Sequence, residues 1–377
     1  MSAAATPYDA VIAGAGPAGC AAAITLHRAG LRVCLVDDAP APAGPKAGES
    51  LPGAARRLLH QLGISGLEDL LSSTDYAACV ANASCWGNDY WTYQDALRNP
   101  EGGGWHLNRA TFDAALRQRA QAVGVPRYQA RISQLIPAAA GCPTADHWLG
   151  LRAADGQPTA LRAPWLIDAT GRAAFVSRRL QGGRHKLDNQ MAAVTWVAAA
   201  PHDLDRATRI KSGPAGWWYT ARLPDGQRVI SFHGLPATVA AFVRQPTALL
   251  AQFDAAALLP HAIADTPVPK IKALDASVSC ARQAAMAGLL CVGDAALAFD
   301  PLSSQGMFFA LYSGIVAGGT LVRCIGTPAL QADYLTDYQA KINQVLATNQ
   351  QARRYFYASE CRYRHEAYWQ SRTNPVI

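Results

Sequence analysis

No CxxC pair occurs among the nine cysteines, which are scattered at positions 20, 34, 79, 85, 142, 280, 291, 324 and 361. That scatter offers neither a zinc ligand set nor a redox dithiol, and no metal is expected. Cys20, Cys34 and Cys291 lie inside apolar stretches, where a thiol behaves as a small hydrophobe. The pattern is that of a reduced, cytoplasmic protein. Uninterrupted apolar runs of about 18 residues are missing, so no membrane span is expected. The N-terminus has no charged region ahead of its first apolar run, so no signal peptide is expected either. Charge is scarce, with 16% Asp, Glu, Lys and Arg against roughly 25% in an average globular chain. Large buried parallel strands would account for that shortfall. The formal net charge of +7 has no long basic run behind it, and no nucleic-acid-binding motif accompanies it, which argues against a nucleic-acid partner. Its densest cluster, Arg353, Arg354, Arg362 and Arg364, reads either as a solvated helix face or as a docking surface for an acidic partner.

Half of the 377 residues are hydrophobic, so core size is no constraint. The run Tyr8-Asp9-Ala10-Val11-Ile12-Ala13-Gly14-Ala15-Gly16-Pro17-Ala18-Gly19 is an apolar strand entering a glycine-rich turn, which opens a helical pattern from Cys20 to Arg28. Gly14 suits the tight turn, Gly16 lets the backbone approach a pyrophosphate, and Gly19 lets helix and strand pack closely. Pro17 and Ala18 complete the turn and count with the glycines as cofactor-binding, and the N-terminus of the helix that follows attracts the phosphates. A second apolar strand, Arg32 to Val36, ends in Asp37, where a ribose-binding carboxylate belongs. The context is that of an adenine-dinucleotide site.

Two later segments decide which dinucleotide. Trp165-Leu166-Ile167-Asp168-Ala169-Thr170-Gly171-Arg172 reads as a third strand ending at the same sheet edge, and Leu289 to Val292 as a fourth that feeds Gly293-Asp294-Ala295-Ala296. Asp300-Pro301-Leu302-Ser303-Ser304-Gln305-Gly306 then leads into an apolar helix from Met307 to about Gly319. A nicotinamide cofactor must leave after each turnover, whereas a flavin stays and needs contacts along its ribityl and pyrophosphate length. In this order the GxGxxG, DATGR and GDAA…DPxxxxG motifs resemble those of the FAD monooxygenases related to para-hydroxybenzoate hydroxylase, including the flavin-dependent halogenases. The resemblance spans about residues 8 to 320.

It implies an α/β fold: a Rossmann-type FAD-binding domain with an inserted, mainly antiparallel β-sheet substrate domain and a C-terminal helical segment. Residues 1–75, 100–183 and 281–330 fall to the FAD-binding domain, 76–99 and 184–280 to the substrate domain, and 331–377 to the C-terminal segment. It also implies non-covalent FAD, since no His or Cys stands at an evident linkage position. One GxGxxG leaves no dedicated nicotinamide domain, so the flavin is reduced by NAD(P)H docking directly or by a separate reductase.

Asp37 is expected on the adenosine ribose. Arg109 heads an RxxFDxxL pattern with Phe112, Asp113 and Leu116, where the related monooxygenases place a basic side chain on the FAD phosphates or ribityl chain. Gly293 and Asp294 are expected near the pyrophosphate. Asp168 is a further candidate, although a carboxylate after a strand also caps turns. The loop Pro301, Ser304, Gln305 and Gly306 should pass beside the isoalloxazine ring, where amide donors and a helix N-terminus stabilise the anionic reduced flavin. The resemblance implies hydroxylation through a flavin C4a-hydroperoxide.

The wording of the motifs narrows the group. Trp86-Gly87 and the run Asn99-Pro100-Glu101-Gly102-Gly103-Gly104-Trp105-His106-Leu107-Asn108-Arg109 through Asp113 look like the maturation flavoproteins that build tryptophylquinone cofactors in amino-acid oxidases. Gly216-Trp217-Trp218-Tyr219-Thr220-Ala221 lies where halogenases carry Trp-x-Trp-x-Ile-Pro, but Ala221-Arg222 replaces Ile-Pro. Nor is there a lysine between Lys46 and Lys186 to serve as the relay for hypohalous acid. The candidate catalytic residues are His106, as a general base on an indole or phenol proton, and Glu49, from a Gly-Glu-Ser element that borders the flavin in halogenases. Trp105, Trp217 and Tyr219 are candidate substrate contacts. Ser50 reads as the N-cap of a helix running to about Leu62, with Pro52 in its first turn.

The expected activity is FAD-dependent hydroxylation of an electron-rich aromatic ring by molecular oxygen, with a tryptophan in a partner protein or peptide as substrate. The rivals are a hydroxylase or halogenase of a small phenol or indole, and a non-catalytic FAD-binding chaperone.

Overall fold

The computed structural model describes residues 5–38, 45–138, 146–153, 158–261, 263 and 270–373. Cys142 and residues 39–44 lie outside them. The first apolar run becomes a central strand, Ala10–Ala13, in a six-stranded sheet. Its order is Ala285–Met286, Leu289–Cys291, Trp165–Asp168, Ala10–Ala13, Val33–Val36 and Arg127–Tyr128. Every neighbouring pair runs parallel except the first, an antiparallel hairpin. The middle strands are buried along their whole length, which is why they read as continuous apolar runs.

Helix Pro17–Arg28 covers this sheet and packs against helix Gly306–Gly326. The contact is close because Gly314 and Gly318 lack side chains: a Cβ at Gly314 would lie 2.3 Å from the Ala18 carbonyl oxygen, and one at Gly318 2.8 Å from Thr25 Cβ. Gly306–Gly326 is longer than the sequence pattern suggests, and by length and composition it could cross a membrane. In this fold half of its apolar window is buried, as befits a core helix.

The second large sheet has seven strands, ordered Lys272–Asp275, Met191–Ala198, Gln227–Gly234, Gly216–Arg222, Thr208–Gly213, Ala81–Cys85 and Thr92–Asp95. It is antiparallel throughout except between Thr208–Gly213 and Ala81–Cys85. The sequence reading of 184–280 as sheet alone misses two helices, Pro236–Arg244 and Pro246–Ala255. They cover one face, where Trp218, Phe232, Phe242 and Phe253 pack together. That leaves the opposite face, with Trp217, Tyr219 and His233, for the site.

Ser50 departs from expectation. Ser50–Leu51 is a short strand paired with Trp105–Leu107, and the helix starts only at Ala55 without a side-chain cap. Backbone pairing outcompetes capping here, and it holds Glu49 at a fixed place beside the strand.

The C-terminal helices Gln331–Ser359 and Ala367–Thr373 also correct an expectation. Arg353 turns inward to Asp188 (2.9 Å) and Asp300 (3.1 Å), and Arg362 pairs with Glu360 and Asp89. Half of the basic cluster is therefore neutralised within the fold rather than presented to an acidic partner.

Candidate active site

A cavity of about 940 Å³ opens where the two sheets meet, near the upper end of the range for ligand sites. One half is built by the carboxyl ends of the parallel strands. Gly14, Gly16, Pro17 and Ala18 line it, as do Asp37, Arg109, Gly293 and Asp294. The three glycines of the first turn have different physical reasons. A Cβ at Gly14, where φ is +101°, would lie 2.3 Å from the Ala169 carbonyl oxygen, and one at Gly19 would lie 1.9 Å from the Gly14 carbonyl oxygen. The chain itself demands both. A Cβ at Gly16 would meet no protein atom within 4 Å, so it would project into open cavity. That free space, in front of a helix start with no acidic side chain in its first turn, fits a pyrophosphate.

Asp37 receives the Ala15 N–H at 2.8 Å and the Arg127 guanidinium at 3.3 Å, which fixes its carboxylate at the end of its strand. Arg109 is held by Asp113 (3.2 Å) and donates to the Gly48 carbonyl at 2.6 Å. Burial pushes the Asp113 carboxyl up, but Arg109 and Lys46 outweigh it and hold the group below the usual carboxylate range. Lys46, 2.9 Å from Asp113, is the one lysine on the cavity among the described residues.

At the far side Pro301, Ser304, Gln305 and Gly306 line the cavity. A Cβ at Gly306 would also meet nothing within 4 Å, and the 21-residue helix it begins carries no acidic side chain in its first turn. Two helix N-termini thus converge on one space. Ser304 is left-handed, with φ +50°, a strain of about 1 kcal/mol or more maintained by its surroundings. Asp300 anchors this loop: its carboxylate receives the Leu302 N–H (3.1 Å), the Arg353 guanidinium (3.1 Å) and the Tyr357 hydroxyl (3.0 Å).

The other half of the cavity is aromatic. Trp217, Tyr219, Ser231 and His233 line it together with Glu49. The Tyr219 hydroxyl donates to Glu49 Oε1, and Glu49 Oε2 is buried without a hydrogen-bond partner. Burial pushes the Glu49 carboxyl above its usual range, and burial with the neighbouring Glu49 charge pushes the Tyr219 phenol up as well. The His233 ring lies flat on Trp217, 3.8 Å between centroids, and burial depresses its pKa to about 3.

Four expected contacts do not reach this space. His106 is wholly buried, bonded through Nε2 to Thr208 Oγ1 at 2.9 Å. Burial lowers its pKa to about 4, and it is absent from the cavity wall, so the general-base expectation is corrected. Trp105 faces a separate small depression under the Arg56 guanidinium, 4.1 Å from its ring centre. Asp168 spends its carboxylate on the Thr170 N–H and hydroxyl and on the Ser177 N–H; it caps a turn and a helix. Gly19 is a packing residue, as described. Sequence reasoning missed Arg117, Arg172, Ser231 and His233, all on the cavity wall. The period-2 pattern of Val229 to Gly234 could have put Ser231 and His233 on one face, but not which face the helices leave bare.

Comparison with known proteins agrees with this geometry. The family model described as an FAD binding domain matches residues 7–347. LodB of Marinomonas mediterranea, named an FAD-dependent oxidoreductase, is 26% identical over 386 aligned residues, covering 97% of this chain and 96% of its own. Among solved structures, the peptidyl tryptophan dihydroxylase QhpG, essential for tryptophylquinone cofactor biogenesis, superposes with a TM-score of 0.74 at 25% identity, over 97% of this chain and 79% of its own. The flavin-dependent halogenase CmlS superposes with a TM-score of 0.83 at 21% identity, over 99% and 68%, and shows the shared fold. A cavity shaped for a dinucleotide and a family match over nine-tenths of the length lead to one conclusion: the chain is an FAD-dependent oxidoreductase and belongs to the FAD binding domain family.

Proposed function

We propose that this flavoprotein hydroxylates an electron-rich aromatic ring, the side chain of a tryptophan held in a partner protein or peptide. The observation that carries the reading is a single cavity that joins dinucleotide-binding residues to a wall of Trp217, Tyr219, His233 and Glu49. The likeness to QhpG, a peptidyl tryptophan dihydroxylase, and to LodB along nearly the whole chain supports the same substrate class. FAD, when bound, supplies the activation of oxygen. The residues of the chain do the rest. Gly16, Asp37 and Arg109 bind the cofactor's phosphate and ribose end, and the Pro301–Gly306 loop binds its ring end. Tyr219 offers a ring to an indole, and the buried Trp217 backs the wall from behind His233. Glu49 stands where its free Oε2 can take the proton released from the ring carbon as the aromatic system is restored.

The test is mass spectrometry of a co-expressed partner polypeptide after reaction with FAD, a reductant and oxygen. Addition of oxygen to one tryptophan, with little turnover of free tryptophan, is the expected result. Efficient hydroxylation of the free amino acid, with every polypeptide unmodified, would refute the reading and favour a small phenol or indole as substrate.

A further inference from the structure

On one side the cavity wall runs out along Gly171, Arg172, Ala173 and Phe175. Phe175 opens the short helix Phe175–Gln181, whose last turn carries Arg178 and Arg179. Both arginines are exposed, and the Arg179 guanidinium lies over the Phe175 ring, 4.0 Å from its centre. A third exposed guanidinium, Arg282, comes from a distant part of the chain. Two glutamines clamp the parts together: Gln181 Nε2 donates to the Gln283 carbonyl at 2.8 Å, and the Gln283 N–H donates to Gln181 Oε1 at 3.1 Å. A Cβ at Gly183 would lie 4.0 Å from Arg282 Nε, which sets this guanidinium beside the turn that leaves the helix. The three cations thus share one surface at the rim of the cavity.

That surface has no acid of its own. No Asp or Glu occurs between Asp168 and Asp188, nor between Asp275 and Asp294. The carboxylates at those borders are spent elsewhere: Asp275 on Lys186 (3.2 Å), Asp294 on Arg172 (3.6 Å), and Asp188 on Arg353 (2.9 Å). Among the described residues no carboxylate lies within 4 Å of Arg178, Arg179 or Arg282. A helix dipole favours cations in the last turn, which accounts for the first two and not for Arg282 on its separate segment. Unpaired cations beside a ligand cavity attract and orient anionic partners. We infer that this surface docks an acidic segment of the partner polypeptide, next to the tryptophan that enters the cavity. The inference rests on the proposed polypeptide substrate and adds where that substrate is held. Arg178, Arg179 and Arg282 stand outside the cavity wall itself. Spread over a helix and a turn, they suit carboxylates spaced along a chain rather than one phosphate held at a point.

Two synthetic peptides of equal length test this, each with one central tryptophan, flanked by glutamates in one and by glutamines in the other. Binding to FAD-loaded protein is followed by the anisotropy of a dye on the peptide. The wild type is expected to hold the glutamate peptide about fivefold or more tighter, a difference that shrinks as salt rises. R178Q/R282Q and R354Q/R364Q each remove two exposed charges that have no carboxylate partner, so the two variants share one net charge. The preference should fall in the first and persist in the second. Equal losses in both would show attraction by net charge alone and overturn the assignment. A preference intact in R178Q/R282Q would also overturn it, as would failure of the glutamate peptide to bind the wild type. Peptide binding untouched in R178Q/R282Q, with slower flavin reduction by NADPH, would give the surface to a dinucleotide instead; a dimer that this variant dissolves, with peptide binding untouched, would give it to a second copy of the chain. Oxygenation is read separately by mass spectrometry. A glutamate peptide that docks here and stays unmodified would uphold the docking site and count against the tryptophan reading beneath it.

Discussion

At the scale of single residues, Gly16 and Gly14 make opposite predictions. A Cβ at Gly16 would touch only open cavity, and its backbone has an ordinary φ of −78°. Gly16→Val should therefore fold normally and purify without the yellow of bound flavin, read by visible absorbance against protein concentration. Full FAD occupancy in that variant would contradict the pyrophosphate assignment. Gly14→Val should fail earlier, in folding, because its Cβ would run into the Ala169 carbonyl. Buried histidines give a second prediction. In the folded state His106 titrates near pH 4, depressed from 6.5. Between those values the unfolded chain holds the extra proton, so this contribution is present above pH 6.5 and is lost as pH falls. For His106 alone the loss is about 2 kcal/mol between pH 7 and pH 5. His106→Gln should flatten that part of the profile in urea unfolding; an unchanged profile would show that the ring is solvated. The residues misjudged from the sequence share one cause. Asp168, His106 and Trp105 stand at strand ends or in strands beside the site, where chain position is right but side-chain direction is not encoded by motif. Asp168 turned onto the turn and helix that follow its strand, and Trp105 packs under Arg56 in a separate depression.

At the scale of elements, the parallel strands and the first helix were legible because their apolar runs and glycine punctuation are local signals. The two helices of the insert were not: each opens on a proline, Pro236 or Pro246, in its first turn, inside a segment otherwise patterned as strands. The C-terminal helix was legible as a helix and misread as a surface. Its Arg353 is nearly buried between Asp188 and Asp300, and Tyr357 links the Trp217 indole N–H (3.1 Å) to Asp300 (3.0 Å). Removing one partner from such a network leaves uncompensated buried charge, a loss of about 3 kcal/mol. Arg353→Met should lower the thermal midpoint and weaken FAD retention together, because Asp300 anchors the Pro301–Gly306 loop. Arg364→Met, at an exposed position, should change neither. Equal behaviour of the two variants in thermal unfolding with added FAD would show that the helix does not hold the loop.

For the whole molecule, the low charge content follows from two sheets that are each covered on one or both faces, and the net charge of +7 is spread over a surface whose densest cluster is half paired internally. Fold and cofactor were readable because three separated motifs must meet at one sheet edge to bind one long ligand. The aromatic wall was less readable because it comes from cross-strand register, which no short motif specifies. Reaction outcome is open to a direct comparison with the halogenase branch of the fold. Lys46 is the one lysine on the cavity among the described residues, and its ammonium is committed to Asp113 at the cofactor end. With reduced flavin, oxygen and excess bromide, the products should carry oxygen and no bromine, checked by the isotope pattern in mass spectrometry; a brominated product would place a halide relay on this chain.

The anchoring of Asp300 by Arg353 and Tyr357 also sets an order of events in biosynthesis. The dinucleotide strand and turn leave the ribosome first, yet the loop at the flavin's ring end has its partners more than fifty residues downstream of it. A nascent chain can therefore hold one end of the cofactor cradle while the other still lacks its anchor, until helix Gln331–Ser359 has emerged.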